Sequence, residues 1–213
     1  MDIKGAKITI DAKALCLLFG RFTQRDFAMS KVLINLKGKT AAEILRQCDQ
    51  ENSVPVDLNA ILRRLDISAK KLDFTKIESI LRENGSIGEE NRVLGAAITS
   101  NGRRAIFYSS DDTLMSNHRY RFTVAHELGH LCQGEDNHIE FRFDIKSDSK
   151  KERDANIFAG ELLIPLHQLE RISNELYFPT IKNLAAVFKV SINVMEERLR
   201  FLDRPDLFLK SHI

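Results

Sequence analysis

Residues 126–130 read His-Glu-Leu-Gly-His, inside the run Arg121-Phe-Thr-Val-Ala-His-Glu-Leu-Gly-His-Leu-Cys132, and this spacing restricts what the chain can fold into more than any other stretch. On a helix, residues four apart stand one turn above each other, so both imidazoles face the same way and can reach one tetrahedral ion. Glu127 is rotated by roughly 100° from His126. Its carboxylate then lies beside the ion rather than on it, where it can take a proton from water as a general base. The flanking residues fit a helix buried on one side: Thr123, Val124, Ala125, Leu128, Leu131 and Cys132 surround the triplet, and Gly134 supplies a stop. Gly129 is the exception, because glycine inside a helix costs up to about 1 kcal/mol relative to alanine. It shares the face of the imidazoles and reads as clearance for the metal or its substrate. The competing reading, a buried helix whose histidines merely satisfy hydrogen bonds, suits a lone histidine better than this triplet.

Two histidines leave a zinc site one ligand short, since catalytic zinc takes three protein ligands and keeps a fourth position for water. A third histidine on the extended His-x-x-Gly-x-x-His pattern is excluded, because the chain has Gln133 and Asp136 where that pattern needs glycine and histidine. The next helix with an apolar stripe covers residues 150–164 and is closed by Pro165. Its stripe of Ala155, Phe158, Ala159 and Leu162 extends one turn backwards onto Glu152. A carboxylate aimed inward needs a cation or donors to offset its desolvation, and an ion on the neighbouring helix would be that cation. Glu152 is therefore the favoured third ligand, with Asn156 one turn later on the same side and able to hydrogen-bond the ligands. Asp154 points away from the stripe, and Asp144 falls in a loop. His138, in the polar segment 133–149, is the second choice. The competing reading of Glu152 is an ordinary solvated acid in the first turn of a helix. His118 is a candidate oxyanion group or part of the metal helix's first turn, and His167 and His212 belong to no constellation.

With 213 residues and 43% hydrophobic content, the chain can bury the core of one domain with a small appendage. No run approaches about eighteen apolar residues, and Met1-Asp-Ile-Lys-Gly-Ala-Lys lacks the apolar core of a secretion signal. A cytoplasmic protein with no membrane span is expected. Cys16, Cys48 and Cys132 are too widely spaced for a zinc knuckle and read as reduced core residues. A net charge of +2, from 32 basic and 30 acidic residues, neither requires nor excludes nucleic acid.

Residues 1–39 form an extension of uncertain structure. Ile8 and Ile10 alternate like a short strand, Asp11 can cap a helix through Phe19, and residues 32–36 read as a strand before a Lys37-Gly38-Lys39 turn. Thr40 and Glu43 have capping-box spacing ahead of a helix reaching Gln50. Asp57 caps a second helix with Leu58, Ile61, Leu62 and Leu65 on one face. Residues 67–74 read as a strand and 76–82 as a helix, and Asn101-Gly102 joins two further strands as a hairpin. The expected fold is α+β: a small antiparallel sheet beside a mainly helical core, residues 40–180, in which helices 119–133 and 150–164 enclose the metal. An edge strand there could hold an extended peptide. Residues 181–213 form a C-terminal helical segment packed on that core, with a helix-turn-helix rhythm from Leu184 to Leu199. Glu196 and Glu197 beside Arg198 are unfavourable against a phosphate backbone, so direct nucleic-acid binding is not expected.

The run Arg121-Phe-Thr-Val-Ala-His-Glu-Leu-Gly-His, followed by Glu152-Arg-Asp-Ala-Asn-Ile-Phe-Ala-Gly-Glu-Leu-Leu-Ile-Pro165, resembles the ImmA/IrrE family of zinc-dependent metallo-endopeptidases. Similarity extends to Val54-Pro-Val-Asp-Leu, to residues 184–191 and to Arg198-Leu199, covering residues 40–202. The resemblance implies a zincin-like core, zinc held by His126, His130 and Glu152, and Glu127 as the catalytic base. It also implies a partner, since family members typically cleave or otherwise inactivate a helix-turn-helix repressor, often encoded on a mobile element or in a stress-response locus. Residues 1–39 depart from the amino-terminal helix-turn-helix domain that some relatives carry. The expectation is a cytoplasmic metallo-endopeptidase acting on one protein partner. The alternative is a non-hydrolytic antirepressor-like or antitoxin-like regulator that retains a structural metal site. Manganese or another divalent ion suits the same three donors.

Overall fold

A computed structural model describes residues 34–100, 103–114, 116–134, 138–144, 149–177, 179–204 and 207. The expected strand at residues 8–10, the helix from Asp11, Cys16 and the Asn101-Gly102 turn lie outside them. Thr40 opens α1 (Ala41–Gln47): its hydroxyl accepts the Glu43 N–H, and the Glu43 carboxylate accepts the Thr40 N–H at 2.8 Å. This is the reciprocal cap that their spacing anticipates. Asp57 caps α2 (Leu58–Arg64) by accepting the Ala60 N–H. Then follow β1 (Ile67–Leu72), α3 (Thr75–Glu83), β2 (Val93–Ser100), β3 (Arg103–Ser109), α4 (Asn117–Gln133), β4 (His138–Phe143), α5 (Lys150–Leu163), α6 (Leu166–Glu175), α7 (Ile181–Phe188) and α8 (Ile192–Leu202). Residues 34–36 are not strand, but the turn after them is present, with the Lys39 N–H donating to the Leu36 carbonyl and Gly38 at φ 77°.

The fold is α+β, with eight helices among the described residues and one four-stranded sheet in the order β1-β3-β2-β4. β2 is antiparallel to β3 and β4, as expected of the sheet, while β1 joins the other edge in parallel to β3. The parallel pair follows from connectivity, because α3 and β2 intervene between the two strands. Period-two alternation then divides the side chains between two cores. Ala96, Ile98, Ala105 and Phe107 pack with Phe74, Ile77 and Leu81 beneath α3, whereas Ala97 and Ile106 join the larger core shared by α1, α2, α4, α5, α7 and α8. Cover on both faces is why β2 reads as an almost unbroken apolar run.

Besides residues 34–36 and the parallel β1, two segments differ from the sequence expectation. The segment 133–149, read as a polar loop, contains β4, because Ile139, Phe141 and Phe143 alternate with polar residues and the segment pairs along β2. Pro165 closes α5 but also precedes the first residue of α6, a helix the apolar spacing alone did not reveal.

α4 is anchored at several points. Ser116 caps its first turn, and the Gly38 N–H donates to the Cys132 carbonyl at 2.7 Å, satisfying one of the orphan acceptors at its end. Arg121, in its second turn, donates through Nη2 to the Val56 carbonyl at 2.9 Å and through Nε to the Lys189 carbonyl at 3.1 Å. Lys189 is the left-handed cap of α7. One guanidinium thus ties α4 to the chain before α2 and to the α7–α8 turn. In α8, Arg198 is only 6% exposed, with its Nε on the Ile164 carbonyl at 3.2 Å and Nη1 3.6 Å from Glu161. Leu184, Phe188, Met195 and Leu199 of the C-terminal pair lie in the larger core. Cys48 and Cys132 are buried free thiols, and burial pushes the Cys132 thiol up to about 12. No helix among the described residues is long and apolar enough to cross a membrane.

Removing the guanidinium in Arg121→Ala strands two backbone acceptors, and charged hydrogen bonds of this kind are worth about 2 kcal/mol. The urea midpoint is expected to fall accordingly, with helical content at zero denaturant unchanged; an unshifted midpoint would show that this anchor contributes nothing.

Candidate metal centre

α4 presents His126 and His130 one turn apart with their Nε2 atoms 2.9 Å from each other, and both residues are buried. Glu152 enters from the first turn of α5, whose cap Ser149 accepts the Glu152 N–H. Its Oε2 lies 3.2 Å from His126 Nε2 and its Oε1 3.1 Å from His130 Nε2. Asn156, one turn further along α5, accepts a hydrogen bond from His126 Nδ1 at 2.9 Å. That bond places the His126 proton on Nδ1 and leaves the Nε2 lone pair facing Glu152 and His130.

Three lone-pair donors thus converge within 4.8 Å of one another. Two nitrogens on a tetrahedral zinc stand about 3.3 Å apart, close to the spacing found here. The set could hold a metal ion, and a divalent cation resolves the mutual repulsion of these donors. Protonation is consistent with ligation. Burial, reinforced by the Arg142 charge, drives the His126 pKa down to about 3 and keeps the ring neutral.

The α4–α5 approach makes this convergence possible. A β-carbon at Gly129 would lie 3.2 Å from the Ala155 Cα and from the Phe158 ring. The clearance that the sequence assigned to metal or substrate is therefore taken by the backbone of α5. Glycine was legible as a close-approach signal, but what approaches was not.

Glu127 is fully buried on the sheet side of α4. Opposite it stands Gly95 of β2, where a β-carbon would lie 2.8 Å from both Glu127 Oε1 and the Thr123 methyl. Gly95 faces α4 because of a bulge: Val93 pairs with Phe143 and Gly95 with Arg142, so Leu94 is an extra residue that shifts the alternation of β2. Gly95 and Arg142 were missed by the sequence reading. A glycine inside a strand pattern is the available signal for the first; nothing local marks the second, because β4 itself was not recognised.

The other candidates fall elsewhere. His118 is exposed in the first turn of α4. The backbone of His138 lies in β4 opposite Thr99, so it does not sit in a loop. Asp144 follows β4, and its carboxylate accepts the Arg92 N–H. Asp154 lines a surface cavity with Lys37 and Lys39, away from the histidines. His167 hydrogen-bonds the Glu51 carbonyl.

An α+β domain in which a helical His-Glu-x-x-His run meets a carboxylate from the next helix is of the metallopeptidase-like class. The chain belongs to the Peptidase_M78 family, described as the IrrE N-terminal-like domain, whose model matches residues 89–200, more than half of it. The match takes in β2, β3, the three converging residues, Glu127 and most of α8. None of the curated proteins compared with the chain matches it.

Two expectations follow. Gly95→Ala drives a methyl group into the space of a buried carboxylate, so it should displace Glu127 while leaving the three converging side chains in place. Metal stoichiometry by elemental analysis should persist while any Glu127-dependent activity falls; loss of both together would show that the sheet, not Glu127, was disturbed. The second concerns acid. His126 is depressed from 6.5 to about 3, so the unfolded chain binds more protons than the fold between these values. The stability present above pH 6.5 is lost as pH falls towards 3, and the metal-free His126→Gln variant should show a shallower decline of urea midpoint across that window.

Proposed function

We propose that this chain is a zinc-dependent endopeptidase that cleaves one specific protein partner, and that the partner is a helix-turn-helix transcriptional repressor. The observation that supports hydrolysis best is the meeting of His126 Nε2, His130 Nε2 and the Glu152 carboxylate at one point, with Glu127 buried alongside. The two histidines and Glu152 are the metal ligands in this reading. When bound there, zinc polarises a carbonyl and lowers the pKa of water towards about 7. Manganese would meet the same donors, and elemental analysis of the protein as purified decides between them.

The protein's own residues supply the rest. The Glu127 carboxylate takes a proton from the attacking water and passes it to the nitrogen of the leaving amine. Asn156 holds the His126 ring in the tautomer that keeps Nε2 free. β4 is the edge of the sheet nearest this acid, and its open side offers backbone groups to an extended peptide laid along it. The α7–α8 pair serves packing in this reading, since Arg198 is turned inward onto Ile164 and Glu161 and is not available to a phosphate backbone. The repressor as partner rests on the family resemblance alone.

The decisive comparison is wild type against Glu127→Gln, each with its metal content measured, mixed with a candidate repressor and followed by mass spectrometry. Glu127→Gln should retain the metal and lose cleavage by about 10²-fold or more. Unimpaired cleavage removes Glu127 from the mechanism. Repressor release without any fragment, equal in both proteins, would favour a non-hydrolytic regulator instead.

A further inference from the structure

Among the described residues, Arg142 is a charged group of this centre that neither the ligand set nor the base accounts for. Its position follows from the β2 bulge. Phe141 and Phe143 point beneath α3, so Arg142 between them projects to the α4 side, directly across from Gly95. Cross-strand neighbours have β-carbons about 5 Å apart, and the Gly95 β-carbon position is already in contact with Glu127. The guanidinium lies over the Phe122 ring with Cζ 5.0 Å from its centroid. It is attracted by Glu127 and by Glu152, and its charge reaches His126. Nη1 is sealed from solvent and has no hydrogen-bond partner among the described residues, while the residue as a whole keeps part of its surface open.

A buried guanidinium nitrogen without an acceptor is costly. A purely neutralising role for Arg142 would be served by a hydrogen-bonded ion pair with one of the two acids, and no such pair is formed by it. The charge balance points elsewhere. Among the described residues, a divalent ion and Arg142 would together bring three positive charges against the Glu127 and Glu152 carboxylates, with both histidines neutral as ligands, an excess of one positive charge. An excess of this sign suits a group that becomes negative during the reaction. The neighbouring Arg119 is exposed and donates to the Leu114 carbonyl, so it is not the cation in question.

We propose that Arg142 is a catalytic residue that receives the carbonyl oxygen of the scissile peptide and holds the negative charge developing on it. Phe122 supports one face of the guanidinium, and the substrate oxygen meets the residue where it is open to solvent rather than at the sealed Nη1. This inference rests on the peptidase reading for its substrate, but the anion-holding property is measurable without turnover.

Methylphosphonate, a small tetrahedral anion, is titrated calorimetrically into zinc-loaded wild type, Arg142→Gln and Arg142→Lys, with zinc stoichiometry and thermal midpoint recorded for each. Wild type is expected to bind, Arg142→Gln to bind about tenfold or more weakly at unchanged zinc content, and Arg142→Lys to lie between them because a point charge replaces the fork. Absence of binding by wild type, or equal affinity in Arg142→Gln, overturns the proposal. If Arg142→Gln loses zinc or fails to fold, Arg142→Lys carries the test, and an affinity equal to wild type overturns it. Where a cleavable partner is in hand, Arg142→Gln should lower kcat while KM stays near its original value. Phosphonate binding that depends on Arg142 in a protein that cleaves nothing would sink the peptidase reading and leave the anion site standing.

Discussion

α4 and α5 come together until a β-carbon at Gly129 would stand 3.2 Å from the Ala155 Cα, and the geometry of the centre depends on this approach. Helices separated by ordinary side chains run about 8–10 Å apart, and glycine facing alanine permits the near end of that range. Glu152 is one turn before Ala155, so closing the two helices there delivers its carboxylate to the imidazoles on the opposite helix. The same closeness lets Asn156 reach His126 Nδ1. The three converging side chains and the amide that orients His126 thus share one close packing contact between two small residues.

The other half of the centre comes from the sheet. The β2 bulge turns Gly95 towards α4 and leaves room for Glu127, and the register it imposes places Arg142 across from that glycine. The centre therefore has a helical side that gathers electron-pair donors and a strand side that carries a cation. In the proposed reading such a site separates metal ligation from charge stabilisation, with Glu127 buried on the sheet side of the histidine helix. Arg121 and the Gly38 N–H secure α4 against elements far away in the chain, so the platform that bears the histidines is braced at both ends.

Much of this was legible in the residues. The Thr40–Glu43 and Asp57 caps, α4 with its two histidines on one face, and α5 with its stripe reaching back to Glu152 are local patterns, governed by 3.6-residue periodicity and by the few side chains that can satisfy orphan N–H groups. β4 was not legible because six residues in which a histidine, a glutamate and an arginine alternate with the apolar ones look like a loop. The helix after Pro165 was missed because the proline marked the end of its predecessor more strongly than the start of the next.

From its amino acids alone, this chain determined its helices other than α6, the faces that α2, α4 and α5 bury, and that one divalent ion was to be expected between α4 and α5, because spacing along a helix is fixed by backbone geometry. Tertiary structure decided what Gly129 makes room for, that Gly95 accommodates Glu127, and that a cation from the sheet's edge faces the same centre. The packing of Gly129 on Ala155, of Gly95 on Glu127 and of Gly95 beside Arg142 joins residues 26, 32 and 47 positions apart, and such relations are set by packing and strand register, which no local pattern encodes.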